Sequence, residues 1–276
     1  MLAEWLTYLT TPCAKPYRQL GYLSELIAIK HRHRRLQAAW QPHLDACRQL
    51  ITEAAAKTPR TGLVVVLGSG QLLDIPIDAL AARFERVCLV DICHLRNSRK
   101  TAGTHGNIEL LEADISGTVA GLLTWQAGEP LPEPQPDLSI LGEADYVVSS
   151  NLLAQLPLAP LHHLEMRAPD LSDRARDGYA RLIIAHHMAL LHKCACPVTL
   201  ISEYLQVVSD DERIIEKTDP LYGVRLPVAD QDWDWALAPR PELDPNLDLN
   251  LRVAGIADLH AAVYERTCRN NTLAAP

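Results

Sequence analysis

Between positions 17 and 57, through "YRQLGYLSELIAIKHRHRRLQAAWQPHLDACRQLITEAAAK", apolar residues recur at helical spacing. Helix is the expectation for most of the first sixty residues, interrupted at Pro42 and stopped near Pro59. The pattern then changes. "LVVVL" (63–67), "RVCLVD" (86–91), "NIELLEAD" (107–114), "DYVVSSN" (145–151) and "PVTLISEYLQVV" (197–208) are short runs rich in β-branched residues. Helical stretches such as "PIDALAARF" and "RARDGYARLIIAHHMALLHKCA" alternate with them. Continuous apolar strands alternating with helices predict an α/β domain around a mostly parallel sheet covered on both faces. The last strand-like runs, around "DWDWAL" and "LDLNLRVAGI", fit antiparallel strands closing the sheet edge. The expected division is a helical cap over 1–60 and a Rossmann-like domain over 61–276.

In an open parallel sheet, ligands bind beyond the carboxyl ends of the strands. The strand ends here carry Gly68-Ser69-Gly70, Asp91, Asp114, Ser149-Ser150-Asn151 and Glu203-Tyr204. Glycines at 68 and 70 permit a tight turn and close approach of a ligand to backbone. Asp91 follows Gly68 by 23 positions, the spacing at which an acidic residue meets ribose hydroxyls.

These residues, with "EADIS" (112–116) and "SSNLLAQLP" (149–157), resemble the class I S-adenosylmethionine-dependent methyltransferases from about Thr61 onward. The resemblance implies a cofactor set of Gly68, Ser69, Gly70, Asp91, Asp114, Ile115 and Asn151. Asp91 would bind the ribose, Asp114 the adenine amino group, and the loop would lie beside the methionine part. It implies S-adenosylmethionine as methyl donor, S-adenosylhomocysteine as product and a small-molecule acceptor. The loop is divergent: Val66 stands where the family usually has an acid and Leu72 where it has a third glycine. Asp74 is the expected substitute carboxylate. Two alternatives stay open: an inactive binding or assembly module with its loop blocked by Leu72, and a nicotinamide-dinucleotide oxidoreductase. Against the latter, G-x-G-x-x-G fails at Leu73.

By residue type, the candidate bases are His162 and His163 after the fourth strand and Glu203 and Tyr204 on the fifth. His94 is expected to flank adenosine, and His186, His187 and His192 to be structural. Trp233 and Trp235 alternate as strand neighbours do and are read as packing residues.

Composition narrows the picture. The 276 residues carry a formal charge of −8, which argues against general nucleic-acid binding. The one basic cluster, "KHRHRR" (30–35), is expected to be a solvated helix face rather than an RNA site. Seven scattered cysteines suit reduced thiols, and the "CAC" at 194–196 lacks the second ligand pair of a zinc site. The opening "MLAEWLTYLTTPCAKP", with Glu4, has no basic leader region, and no apolar run is long enough to span a bilayer. A cytoplasmic protein is the expectation. Oligomeric state is not legible.

Overall fold

The computed structural model describes residues 8–264; Glu4 and Cys268 lie outside them. Three helices lead: α1 (Lys15–Gln19), α2 (Tyr22–Arg35) and α3 (Gln37–Lys57). The sheet region then runs β1 (Leu63–Leu67), α4 (Ile77–Arg83), β2 (Arg86–Asp91), α5 (Arg96–Thr104), β3 (Ile108–Glu112), α6 (Val119–Thr124) and β4 (Tyr146–Ser150). It continues with α7 (Leu158–Arg167), α8 (Asp173–Lys193), β5 (Val198–Ser209), β6 (Ile214–Thr218), β7 (Gln231–Ala238) and β8 (Asp248–Ile256). No helix among the described residues is long and apolar enough to cross a membrane.

The strands form one sheet of order β3-β2-β1-β4-β5-β8-β7, with β6 paired to the far part of β5. β1 to β5 are parallel, and β8 runs antiparallel to both β5 and β7. The expected Rossmann-like sheet with antiparallel closing strands is therefore what the chain forms. Strand order reverses at β1: the chain steps outward to β2 and β3, then returns to lay β4 on β1's other side. That reversal opens a crevice between the β1 and β4 carboxyl ends.

Alternation along β1 explains the layering. Leu63, Val65 and Leu67 enter a core with α2, α6 and α8, while Val64 and Val66 enter a second core on the opposite face, built on α3 and α4. α3 is a layer of this second core and covers one face of the sheet. Cys47, Leu50, Ile51 and Ala54 of α3 pack there with Val148 of β4, Ile201 of β5 and Val253 of β8. Its approach to β8 depends on Gly255, where an added Cβ would lie 2.7 Å from both Leu50 and Trp233. Pro42 does not interrupt this helix; the break falls earlier, at Leu36 (φ −111°). Pro42 is the sixth residue of α3, so the helix runs on without the bond an amide there would give to the Ala38 carbonyl.

β5 changes partners along its length. Its parallel pairing with β4 ends at Ile201, but antiparallel β8 carries it on to Ser209. Glu203 and Tyr204 thus lie within the strand rather than at its end.

Candidate functional site

The turn after β1 opens the site. Gly68 (φ 69°) and Gly70 (φ 49°) both take the left-handed conformation that favours glycine, and Leu72 takes it too (φ 61°). A Cβ on Gly68 would come 2.8 Å from Leu152 Cδ1, whereas one on Gly70 meets nothing nearer than 3.8 Å. Leu72 keeps the backbone shape of the missing glycine and sends its side chain into the α3/α4 core. Leu73, not Leu72, borders the cleft.

Asp91 fixes this loop. Its Oδ2 accepts from the Gly70 amide at 2.6 Å and its Oδ1 from the Ile92 amide at 2.7 Å, and Ser98 Oγ donates to the Gly70 carbonyl at 2.8 Å. Burial pushes the Asp91 carboxyl up from its ordinary range, with the backbone donors opposing. Asp114 makes a local turn: Oδ1 accepts from Ser116 Oγ (2.6 Å) and the Gly117 amide (3.0 Å), Oδ2 from the Val119 amide (2.8 Å). It thereby caps α6 while still bordering the cleft.

At the β4 end Asn151 is left-handed as well (φ 49°), a conformation asparagine tolerates better than most residues. Asp74 Oδ2 accepts from Ser150 Oγ at 2.6 Å and Asn151 Nδ2 at 2.8 Å, and burial raises its carboxyl. All eight expected cofactor residues, Gly68, Ser69, Gly70, Asp74, Asp91, Asp114, Ile115 and Asn151, line this one cleft.

The cleft has further walls that the sequence did not announce. α2 lays Tyr22, Glu25, Leu26 and Ile29 along it, the i, i+3, i+4, i+7 face of one helix. Tyr22 Oη sits 3.3 Å from Ser116 Oγ, and Gln71 Nε2 donates to the Leu26 carbonyl at 3.3 Å, tying α2 to both rims. α3 adds Trp40, His43 and Leu44, and β7 adds Trp235. The His43 ring stacks on Trp235 with centroids 3.9 Å apart and planes 1° from parallel, while Trp40 meets Trp235 edge-on at 5.0 Å. Trp233 Nε1 donates to His43 Nδ1 at 3.0 Å, and burial pushes His43 down to about 3, so its ring is neutral. Trp235 is thus a cleft wall as well as a packing residue. A helical face repeating Trp40, His43, Leu44 and Cys47 was the only sequence signal for this wall.

The expected bases lie elsewhere. His162 is exposed on α7, and His163 borders a separate depression with Gln19, Leu123, Met166 and Arg167. Tyr204 donates to Asp232 Oδ2 at 2.6 Å on the outer part of the sheet. Glu203 is 3% exposed and does not line the cleft; its Oε2 has no hydrogen-bond partner among the described residues, and burial raises it to about 7. His94 lies behind the loop, within 3.2 Å of the Leu111 carbonyl, outside the lining. His187 is buried, 3.1 Å from Ser149 Oγ. In the basic cluster, Arg35 holds Glu242 through two hydrogen bonds and Arg32 approaches the same carboxylate at 3.9 Å. No group of three or more His, Cys, Asp or Glu among the described residues stands where it could hold a metal ion.

The lining therefore carries four carboxylates (Glu25, Asp74, Asp91, Asp114), a neutral histidine, and no lysine or arginine among the described residues. Arg48 comes near, but its guanidinium is taken by the Leu73 carbonyl and Asp45. Two buried polar atoms of lining residues, Ser69 Oγ and Asn151 Oδ1, have no partner among the described residues. Buried polar groups in native proteins are normally satisfied, so such a pair in a cleft marks a place for a polar ligand.

No family model and no curated protein matches the chain. Among solved structures it is similar to the 1,6-didemethyltoxoflavin N1-methyltransferase of Burkholderia thailandensis with bound 1,6-didemethyltoxoflavin and S-adenosylhomocysteine, at 16% identity and TM-score 0.39, covering 90% of this chain and 92% of that one. It is similar also to an N-methyltransferase of Bradyrhizobium japonicum bound to S-adenosylhomocysteine, at 11% identity and TM-score 0.35, covering 76% and 85%. The human N-acetylserotonin methyltransferase with S-adenosylmethionine follows at 17% identity and TM-score 0.30, covering 68% and 40%. By sheet order and layering the chain has a Rossmann-like α/β fold.

Proposed function

We propose that the cleft binds S-adenosylmethionine and that the protein transfers its methyl group to a small molecule. One observation carries this reading: eight residues chosen for an adenosyl cofactor meet in one cleft, whose charged lining is entirely acidic and which holds two buried polar atoms without partners. A sulfonium and an ammonium are matched by carboxylates. A dinucleotide's pyrophosphate would face those carboxylates with no lining cation, and α4 begins only at Ile77, seven residues beyond Gly70. The inactive-module reading takes Leu72 as filling the site, but Leu72 is not among the residues that line the cleft.

In this reading Asp91 meets the ribose with the lone pairs left after Gly70 and Ile92, Asp114 and Ile115 hold the adenine, and Asp74 holds the methionine ammonium beside Ser69 and Asn151. The bound donor supplies an electrophilic methyl group on a positively charged sulfur. The chain's part is to position the acceptor and exclude water, which α2 and the Trp40–Trp235 wall are placed to do.

The test is calorimetric titration with S-adenosylhomocysteine. Binding on the order of micromolar, weakened in Asp74→Asn and in Asp91→Ala with the fold checked by circular dichroism, is expected. A wild-type protein that takes up no S-adenosylhomocysteine overturns the reading.

A further inference from the structure

Beyond the adenosyl half, the cleft has an aromatic end. Trp40, His43 and Trp235 form it, with Ile29, Leu44 and Leu73 beside them. The ring planes are fixed: Trp40 Nε1 donates to the Leu237 carbonyl at 3.0 Å, and His43 is clamped between Trp235 by stacking and Trp233 by hydrogen bond. Trp40, His43 and Trp235 are 3%, 1% and 6% exposed and pack on one another, so they give the cleft a narrow, rigid apolar border, which a flat ligand can meet with little ordering cost. The charge nearby is negative. Glu25 on α2 and Asp74 beyond the loop border the same cleft, and Arg48 is occupied by Leu73 and Asp45. A carboxylate or phosphate on the ligand would have no lining cation to meet and two acids to avoid.

The cleft also lacks a strong base. His43 Nδ1 is occupied by the Trp233 donor, so its proton sits on Nε2 and the ring offers a donor rather than an acceptor. The other ionisable lining groups are Tyr22, whose phenol burial raises, and the four carboxylates. An alcohol needs its proton removed as it attacks; a ring nitrogen offers a lone pair at once.

We infer that the methyl acceptor is a planar nitrogen heteroaromatic without carboxylate or phosphate groups, held against Trp40, His43 and Trp235 with Glu25 at the entrance. This rests on the methyl-transfer reading above. The bond formed is nitrogen to carbon and the bond broken is the donor's sulfur to carbon, whose electron pair stays on sulfur. A ring proton, where there is one, leaves to a cleft carboxylate or to water.

The experiment titrates protein loaded with S-adenosylhomocysteine with benzimidazole and, separately, with benzimidazole-5-carboxylate, which carries the same ring with an added negative charge. Benzimidazole is expected to bind, and the carboxylate about tenfold or more weaker. Glu25→Lys, at an exposed position that leaves the core untouched, should narrow or reverse that preference, and Trp235→Phe should weaken benzimidazole binding. Equal or tighter binding of the carboxylate by the wild type overturns the inference, as does failure of both ligands to bind loaded protein. Failure of S-adenosylhomocysteine itself to bind overturns instead the reading beneath it.

Discussion

The indole N–H of Trp233 points at Nδ1 of His43, 3.0 Å away. An indole can only donate, so the imidazole proton is on Nε2, where the Asn151 carboxamide nitrogen lies 3.2 Å off. Two donors then face each other. A half-turn of the carboxamide would give His43 an oxygen, but would also set that oxygen against Asp74 Oδ2, 2.8 Å from the present nitrogen. A proton on Asp74 resolves both contacts, and burial already raises that carboxyl. Protonation of Asp74 and the orientation of Asn151 are therefore linked.

Loading the cofactor site should expel that proton. If Asp74 takes the ligand's ammonium as a carboxylate, affinity for S-adenosylhomocysteine falls as pH drops through the raised Asp74 range, and binding releases protons. Calorimetry in two buffers of different ionisation enthalpy reads this directly. Buffer-independent heats at acid pH would dismiss the coupling, and Asp74→Asn should abolish it.

Glu203 and His43 set opposite pH dependences of stability. Glu203 is raised from 4.5 to about 7, so the folded state holds a proton the unfolded chain has lost, and stability declines from pH 4.5 to 7. His43 is depressed from 6.5 to about 3, so its unfolded form binds the extra proton and stability rises from pH 3 to 6.5. Glu203→Gln should stabilise the protein at pH 8 by on the order of 2–3 kcal/mol and change little at pH 4.5. Thermal melts at the two pH values decide it; an equal shift at both would show that Glu203 does not titrate between them.

The three left-handed loop positions should respond differently. Gly68→Ala adds contact with Leu152 to backbone strain and is expected to cost about 2–4 kcal/mol. Gly70→Ala carries the strain alone, about 1 kcal/mol. Leu72→Gly relieves strain but loses packing and loosens the unfolded chain, so its net effect should lie within about 1 kcal/mol of zero. Its affinity for S-adenosylhomocysteine should be unchanged, because that side chain is outside the cleft. Urea melts with parallel titrations give the ranking, and a large affinity gain in Leu72→Gly would contradict the placement of its side chain.

Asp114 should matter to the fold even without ligand. Asp114→Ala removes three hydrogen bonds from the turn leading into α6, for a loss of about 2–4 kcal/mol. Amide exchange at Gly117 and Val119 should accelerate in the ligand-free variant. Unchanged exchange there would assign Asp114 to ligand binding alone.

Much of the parallel sheet is legible because β1, β2 and β4 are nearly buried through and so read as unbroken apolar runs. The strand-end residues of the cleft are legible for a related reason: they follow those runs directly. What escapes depends on distant pairing. The place of Glu203 and Tyr204 inside β5 comes from its register with β8, and α3 runs on through Pro42 while the break falls at Leu36. His43 escapes because its partners, Asn151 and Trp233, are 108 and 190 residues away, and no local spacing encodes such a meeting.

α3 presents Trp40, His43 and Leu44 to the cleft from the same helix that seats Cys47, Leu50 and Ile51 in the core. A change in that wall is thus a change in the foundation, and Gly255 adds that one methyl group on β8 would displace Trp233 and, through it, His43. Along α2 the cleft-facing side chains of Glu25, Leu26 and Ile29 are not fully buried, although Leu23 and Ile27 of the same helix are. Divergence toward new ligands therefore has an easier road at those three positions than through α3, and relatives of this chain should differ there first.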